Sequence, residues 1–184
     1  MSKDWIILHV IVDPLLQDLV NDFLSATNIR TVYGIGSTYT GTGQTVTLME
    51  FDNYVDSDIT YYASSNELVT PIISRGYISS SCQESCSGTA CTRINFGQSP
   101  ATSPTSNSGQ TEVTLDIDMV LAVAPNAQIK VYIVANTGGF DVISKIASDN
   151  LAKVANSSRE IAEDTVANGY FITGNQIYTQ MAKT

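Results

Sequence analysis

Two short apolar runs constrain this chain more than anything else in it. Residues 44–51 (Gln-Thr-Val-Thr-Leu-Met-Glu-Phe) and 128–135 (Gln-Ile-Lys-Val-Tyr-Ile-Val-Ala) are rich in β-branched and aromatic side chains and carry apolar residues on both alternating faces. A strand that is apolar on both faces has to be covered on both, which is the pattern of a parallel sheet held between helices. The covers are legible as helical spacing. Leu15, Leu16, Leu19, Val20, Phe23 and Leu24 recur across 14–27, with Asp13 as a candidate N-cap. Ile59, Tyr62 and Ala63 mark a short helix within 55–68, closed by Pro71, and 111–124 and 140–153 carry two more. Helix and strand alternation predicts an α/β fold built on a parallel sheet, with no internal repeats.

Composition narrows the function classes. The chain has 184 residues, 43% hydrophobic and 15% charged, which suits one globular domain with a proper core. Eighteen acidic side chains against nine basic ones give a net charge of -9, which repels nucleic acid and anionic membrane surfaces. Few cations also mean little self-repulsion at low pH, as an acid-working protein requires. The longest apolar run, residues 5–12, is interrupted by His9 and falls short of the roughly 20 residues a membrane span needs. It follows Lys3 as a signal peptide would, but no small-x-small cleavage site comes before Asp13-Pro14, so it reads as a buried strand or helix or as a remnant of an upstream sequence.

Residues 79–110 are dominated by Ser, Thr, Gly, Asn, Gln and Pro and read as one long polar loop. Cys82, Cys86 and Cys91 crowd into it. A zinc site needs a fourth ligand, which only the distant His9 could supply. The other reading is a disulfide pinning a surface loop with one cysteine left over, which points to an oxidising compartment.

Glu112 and Asp116 stand four residues apart on the helix expected over 111–124. They lie on one face of that helix, continued by Met119 and Val123, while Asp118 points elsewhere. Two adjacent carboxyls resist ionising together, so one keeps its proton to higher pH and the pair can relay it. The same spacing also arises where acidic residues merely complement the helix dipole in a first turn.

The run from Thr111 through Leu115-Asp116-Ile117 to Ala124-Pro125-Asn126-Ala127 and the strand ending at Tyr132 resembles the catalytic helix and following strand of the sedolisin and kumamolisin (serine-carboxyl peptidase) family. Tyr33-Gly34-Ile35, Gly41-Thr42-Gly43-Gln44-Thr45-Val46 and Phe140-Asp141-Val142-Ile143 are similar to that family's flanking blocks, in the same order. The resemblance covers residues 29–154. It divides the chain into an unassigned segment with an amphipathic helix, 1–28, and a partial peptidase-like α/β domain, 29–184. It implies a three-layer, subtilisin-like parallel sheet flanked by helices, here incomplete and corresponding to the amino-terminal half of the catalytic domain.

In such an enzyme a serine attacks the peptide carbonyl and a glutamate replaces the histidine base. The resemblance assigns that glutamate to Glu112 and its orienting, proton-sharing partner to Asp116, with activity favoured in acid. It implies an extracellular protein, a peptide or protein substrate, no nucleic-acid or membrane partner and no cofactor in this chain, the family's calcium site belonging to the other half. The match departs after Val154, where 159–168 makes only a compressed helix before Gly169. There Gly174-Asn175 stands near the place of the family's oxyanion aspartate. An amide at Asn175 could donate to an oxyanion, and Gly-Asn is equally a common turn pair. The Gly-Thr-Ser nucleophile motif is absent from the sequence. The expectation is therefore a peptidase homologue active only as part of a complete protein, or a non-catalytic peptide-binding or assembly module, with a missing half or self-association as its partner.

Overall fold

In the computed structural model, which describes residues 6–7, 25–78, 107–134, 139–158 and 179, the two apolar runs are neighbouring strands. The elements run β1 (Ile6–Ile7), α1 (Ala26–Val32), β2 (Thr45–Glu50), α2 (Asp56–Ser65), β3 (Ile72–Ile78), α3 (Asn107–Val123), β4 (Gln128–Val134), α4 (Gly139–Asp149) and β5 (Val154–Asn156). They form one sheet in the order β1-β5-β2-β4-β3, with every pairing parallel. β2 sets the register on both sides: Val46 lies opposite Ile129 of β4 and Val154 of β5.

Strand alternation divides the core in two. Val46 and Leu48, with Ile129, Val131 and Ile133, pack under Ile59 of α2 and Val113, Ile117 and Leu121 of α3. Met49, Tyr132 and Val134 face the other way, onto Val142, Ile146 and Ala147 of α4. α1 lies against α3 through Ala26, Ile29 and Ala122. The result is the expected three-layer sandwich, a partial subtilisin-like arrangement.

One crossover breaks the usual rule. The chain moves across the sheet in one direction from β2 to β3 and in the other from β4 to β5, and the two connecting helices, α2 and α4, lie on opposite faces, so these crossovers share a hand. From β3 to β4 the chain moves as it does from β4 to β5, yet α3 lies on the face of α2. Its crossover therefore has the opposite hand, although about 98% of such connections are right-handed. The exceptional helix is the one that carries Glu112 and Asp116.

Several boundaries differ from expectation. β3 has no counterpart in the sequence reading, because Arg75 and Gly76 interrupt its apolar pattern and it sits at the end of the strand order with Ile72 exposed. α3 starts at Asn107, so the last four residues of the expected loop are helical. α4 stops at Asp149 rather than at 153, where Asn150 adopts φ 47°. Ser25 caps α1, its hydroxyl accepting from the Asn28 amide at 3.1 Å. Most of the helix read over 14–27 lies outside the described residues, as do 79–106, all three cysteines, and 159–175 with Asn175.

Arg75 makes good the irregularity of β3. Its guanidinium stacks 3.8 Å over the Tyr54 ring, donates to Asn53 Oδ1 at 2.8 Å and to the Tyr54 carbonyl at 3.0 Å, and pairs with Asp56. These contacts fasten the β2–α2 connection to the sheet. The Asp56 carboxylate is largely in solvent and adds little; the stacking and the two neutral acceptors carry the energy. Arg75→Ala is expected to cost about 2 kcal/mol in urea unfolding with an unchanged m-value, and Arg75→Lys to recover little of it, since an ammonium cannot span the same three partners.

Candidate active site

The C-terminal ends of β2 and β5 come together beneath α3. Leu48 pairs with Asn156, and Glu50, two residues further along β2, points to the same face. Such a strand edge is where open parallel sheets gather polar groups. Here Glu50, Asp116 and Asn156 are all buried, at 4%, 6% and 7% exposure, beside a core made mainly of valine, leucine and isoleucine.

Asp116 is the hub. Asn156 Nδ2 donates to its Oδ2 at 3.0 Å, and the Ser158 hydroxyl lies 2.7 and 2.6 Å from its two oxygens. Glu50 supplies a further hydrogen bond, and burial pushes the Glu50 carboxyl up to about 9, helped by the Asp116 charge, by that hydrogen bond and by Glu112. Glu50 is therefore a neutral acid through the whole of the acid and neutral range, and it donates while Asp116 accepts. Glu50 Oε1 and Asn156 Oδ1 have no hydrogen-bond partner among the described residues.

Glu112 stands one turn before Asp116, about 6 Å along the axis, and is exposed. Its carboxyl is also raised, first by partial burial and then by the Asp116 charge. Because α3 begins five residues earlier, at Asn107, neither carboxyl is in a first helical turn, and the helix dipole does not account for the pair. Met119 and Val123 pack toward α1, beside Ala26 and Ile29. Asp118 turns to α2, toward Asp58.

Two features fix α3 over the strand ends. At its start, Gly109 lies against buried Asp52: a Cβ at 109 would be 2.5 Å from Asp52 Oδ2 and 2.7 Å from Asp52 Cβ. Glycine is needed there for close approach, although in an ordinary helix interior it costs about 1 kcal/mol relative to alanine. At its end, Arg30 donates to the Val123 carbonyl at 2.5 Å and to the Gly36 and Tyr39 carbonyls at 2.7 and 3.0 Å. A cation on the last carbonyls complements the helix terminus.

Of the residues expected from the sequence, Asp116 lies in the buried network and Glu112 at its mouth, and Asn175 falls outside the described residues. Glu50, Asn156 and Ser158 were not anticipated as members. The available signal was an acidic residue near the end of an otherwise apolar strand, where an unpaired charge would be costly. Among the described residues no three His, Cys, Asp or Glu side chains are arranged to hold a metal ion, and no helix is long and apolar enough to cross a membrane.

No protein-family model and no curated protein sequence matches the chain. Among solved structures it is similar to Pseudomonas sedolisin, a serine-carboxyl proteinase complexed with two molecules of pseudo-iodotyrostatin. The TM-score is 0.63 at 22% identity, over 85% of this chain and 40% of that one. The likeness establishes a distant sedolisin-like, subtilisin-type fold; this chain spans less than half the length of that proteinase.

The raised Glu50 carboxyl makes stability pH-dependent. Folded protein keeps this proton where unfolded chain releases it, so the contribution is fully present below the ordinary glutamate value of 4.5 and is lost by about 9. Wild-type stability should fall steadily with rising pH, by at most about 1.4 kcal/mol per pH unit from this group. Glu50→Gln, which preserves shape and a donor, should remove this group's share of the decline between 4.5 and about 9 in denaturant midpoints measured across the range.

Proposed function

We propose that this chain supplies the acidic half of a serine-type peptidase site, with Glu112 as general base and acid and Asp116 as the group that orients it and shares its proton. The observation that carries this reading is buried Asp116, held by Asn156 and Ser158 beside buried Glu50, one helical turn from Glu112 at the edge of a sedolisin-like sheet. A base that accepts a serine proton and returns it to a leaving amine must gain and lose a proton readily, and partial burial together with the Asp116 charge raises the Glu112 carboxyl in the direction that makes protonation easier. Asp116, held by Asn156 and Ser158, cannot swing away from that task. Neutral Glu50 behind it keeps a second charge out of the pocket.

The substrate class is a peptide, and the complete protein works by acyl transfer to a serine that this sequence does not present in a Gly-Thr-Ser motif. The 184 residues by themselves are therefore inactive. The oxyanion donor, with Asn175 as its candidate, belongs to the same assembly. An extracellular setting fits acid chemistry and a surface poor in cations.

Quenched peptides assayed at about pH 4 and about pH 7 test this. The longest protein that carries the chain is expected to cleave in acid and to lose about a thousandfold in kcat/KM on Glu112→Ala or Asp116→Ala, while the 184-residue chain gives no turnover. Robust cleavage by the short chain, abolished by Glu112→Ala, would overturn the missing-nucleophile argument. Undiminished cleavage by the Glu112→Ala long protein would remove the carboxyl from the chemistry.

A further inference from the structure

The site leaves one polar cluster unexplained, on the opposite flank of α3. Asp118 and Asp116 are two residues apart, about 200° around the helix, so Asp118 turns from the strand ends toward α2. There Asp118 Oδ1 and the Tyr62 hydroxyl are both buried, and neither has a hydrogen-bond partner among the described residues. Tyr62 is packed at the junction of α1, α2 and α3, against both the main core and the Ala26–Ile29–Ala122 cluster. Among the described residues an ionised carboxylate in that position has no counter-charge and faces a like charge, Asp58 of α2.

The groups on every packed element leave Asp118 in that position. α2 presents Asp58 and Tyr62, with Asp56 and Tyr61 further along its surface. α1 brings Arg30, whose guanidinium is taken up by the Val123, Gly36 and Tyr39 carbonyls. From the sheet side come neutral Glu50 and, from α3 itself, Glu112 and Asp116, all acids. Arg75 of β3 is engaged by Tyr54, Asn53 and Asp56, and Lys130 of β4 shares the parity of Tyr132, on the α4 face.

We propose that the α2–α3 interface is an acid-closed latch: with Asp118 protonated, α2 packs on α3, and with Asp118 ionised, its poorly solvated charge and its repulsion from Asp58 release α2. Burial first, and Asp58 second, raise the Asp118 carboxyl to about 7, and Asp118 in turn helps raise Tyr62 to about 12, so both groups report one poorly solvated site. The direction follows. Closed protein holds the proton, open protein releases it near the ordinary value of 3.8, so closure is complete below that value and is lost as pH rises through about 7.

The latch has a route to the strand ends. α2 begins at Asp56, directly after the connection that carries buried Asp52 against Gly109, and Arg75 binds that connection and Asp56 as one unit. Releasing α2 withdraws support from Asp52 and hence from the first turns of α3, which present Glu112. The latch itself does not depend on a peptidase role, and its test uses no activity.

Native-state hydrogen exchange of the full chain, corrected for intrinsic rates, reads it directly. Protection of the Ile59 and Ala63 amides of α2 should fall as pH rises from about 4 to about 7.5, about tenfold for each unit by which the closed-state carboxyl exceeds the open one. The Val131 and Ile133 amides of β4 report global opening, which also releases the Glu50 proton, so their trend should respond to Glu50→Gln. Asp118→Asn should abolish the α2-specific fall, and Asp58→Asn, an exposed and structurally mild change, should shrink it, while Glu50→Gln should leave it in place. Should Asp118→Asn not fold, the Asp58→Asn comparison decides. Protection of α2 that is flat with pH in the wild type, or that falls equally in Asp118→Asn or Asp58→Asn, overturns the proposal.

Discussion

A carboxylate buried in an apolar layer has to be surrounded by donors, and Asp116 shows how much structure that requirement organises. Its three donors come from two strand ends: the Glu50 acid from β2, the Asn156 amide from β5, and the Ser158 hydroxyl just beyond β5. Removing any one leaves a polar group unpaired in a protein interior, at a cost of roughly 1–3 kcal/mol. The network therefore fixes the relation of α3 to the ends of both strands, and with it the place where Glu112 meets solvent. Burial, helped by the charge and hydrogen bond of Asp116, holds Glu50 neutral, so the cluster carries fewer charges than its composition suggests.

That arrangement depends on a helix lying on the less usual side of the sheet. The crossover through α3 has the hand opposite to those through α2 and α4, which puts α2 and α3 side by side on one face. Two consequences follow. The start of α3 comes close enough to the end of β2 for Gly109 to touch Asp52, and the flank of α3 away from the strand ends is covered by α2, where Asp118 becomes poorly solvated. The catalytic candidates and the proposed latch are thus two faces of one helix, positioned by the same topology.

Much of this was legible in the sequence. The apolar runs at β2 and β4 fell within a residue or two of the strands, because burial on both faces leaves a compositional mark that propensity alone does not. The Glu112 and Asp116 spacing was visible, and its dipole explanation fell away only once α3 was seen to start at Asn107. That start was hidden because Asn-Ser-Gly-Gln has turn composition, and Gly109 is required by a neighbour 57 residues earlier in the chain. β3 escaped because Arg75 and Gly76 obscure its pattern, and Arg75 is there to hold the β2–α2 connection, a tertiary reason with no local signature. The roles of Glu50, Asn156 and Ser158 arise from strand register, which a single sequence does not state.

The most direct test of the account is the titration of the Glu50 side-chain carboxyl, followed by NMR through its own carboxyl carbon in the intact chain. A single resonance that stays in the protonated position through neutral pH and moves only near 9 is the predicted result, and its midpoint should fall, without returning to the ordinary value, when Asp116 is replaced by alanine. A Glu50 carboxyl that titrates at the ordinary value of 4.5 would mean that no buried acid stands behind Asp116, and the account of the site would be contradicted.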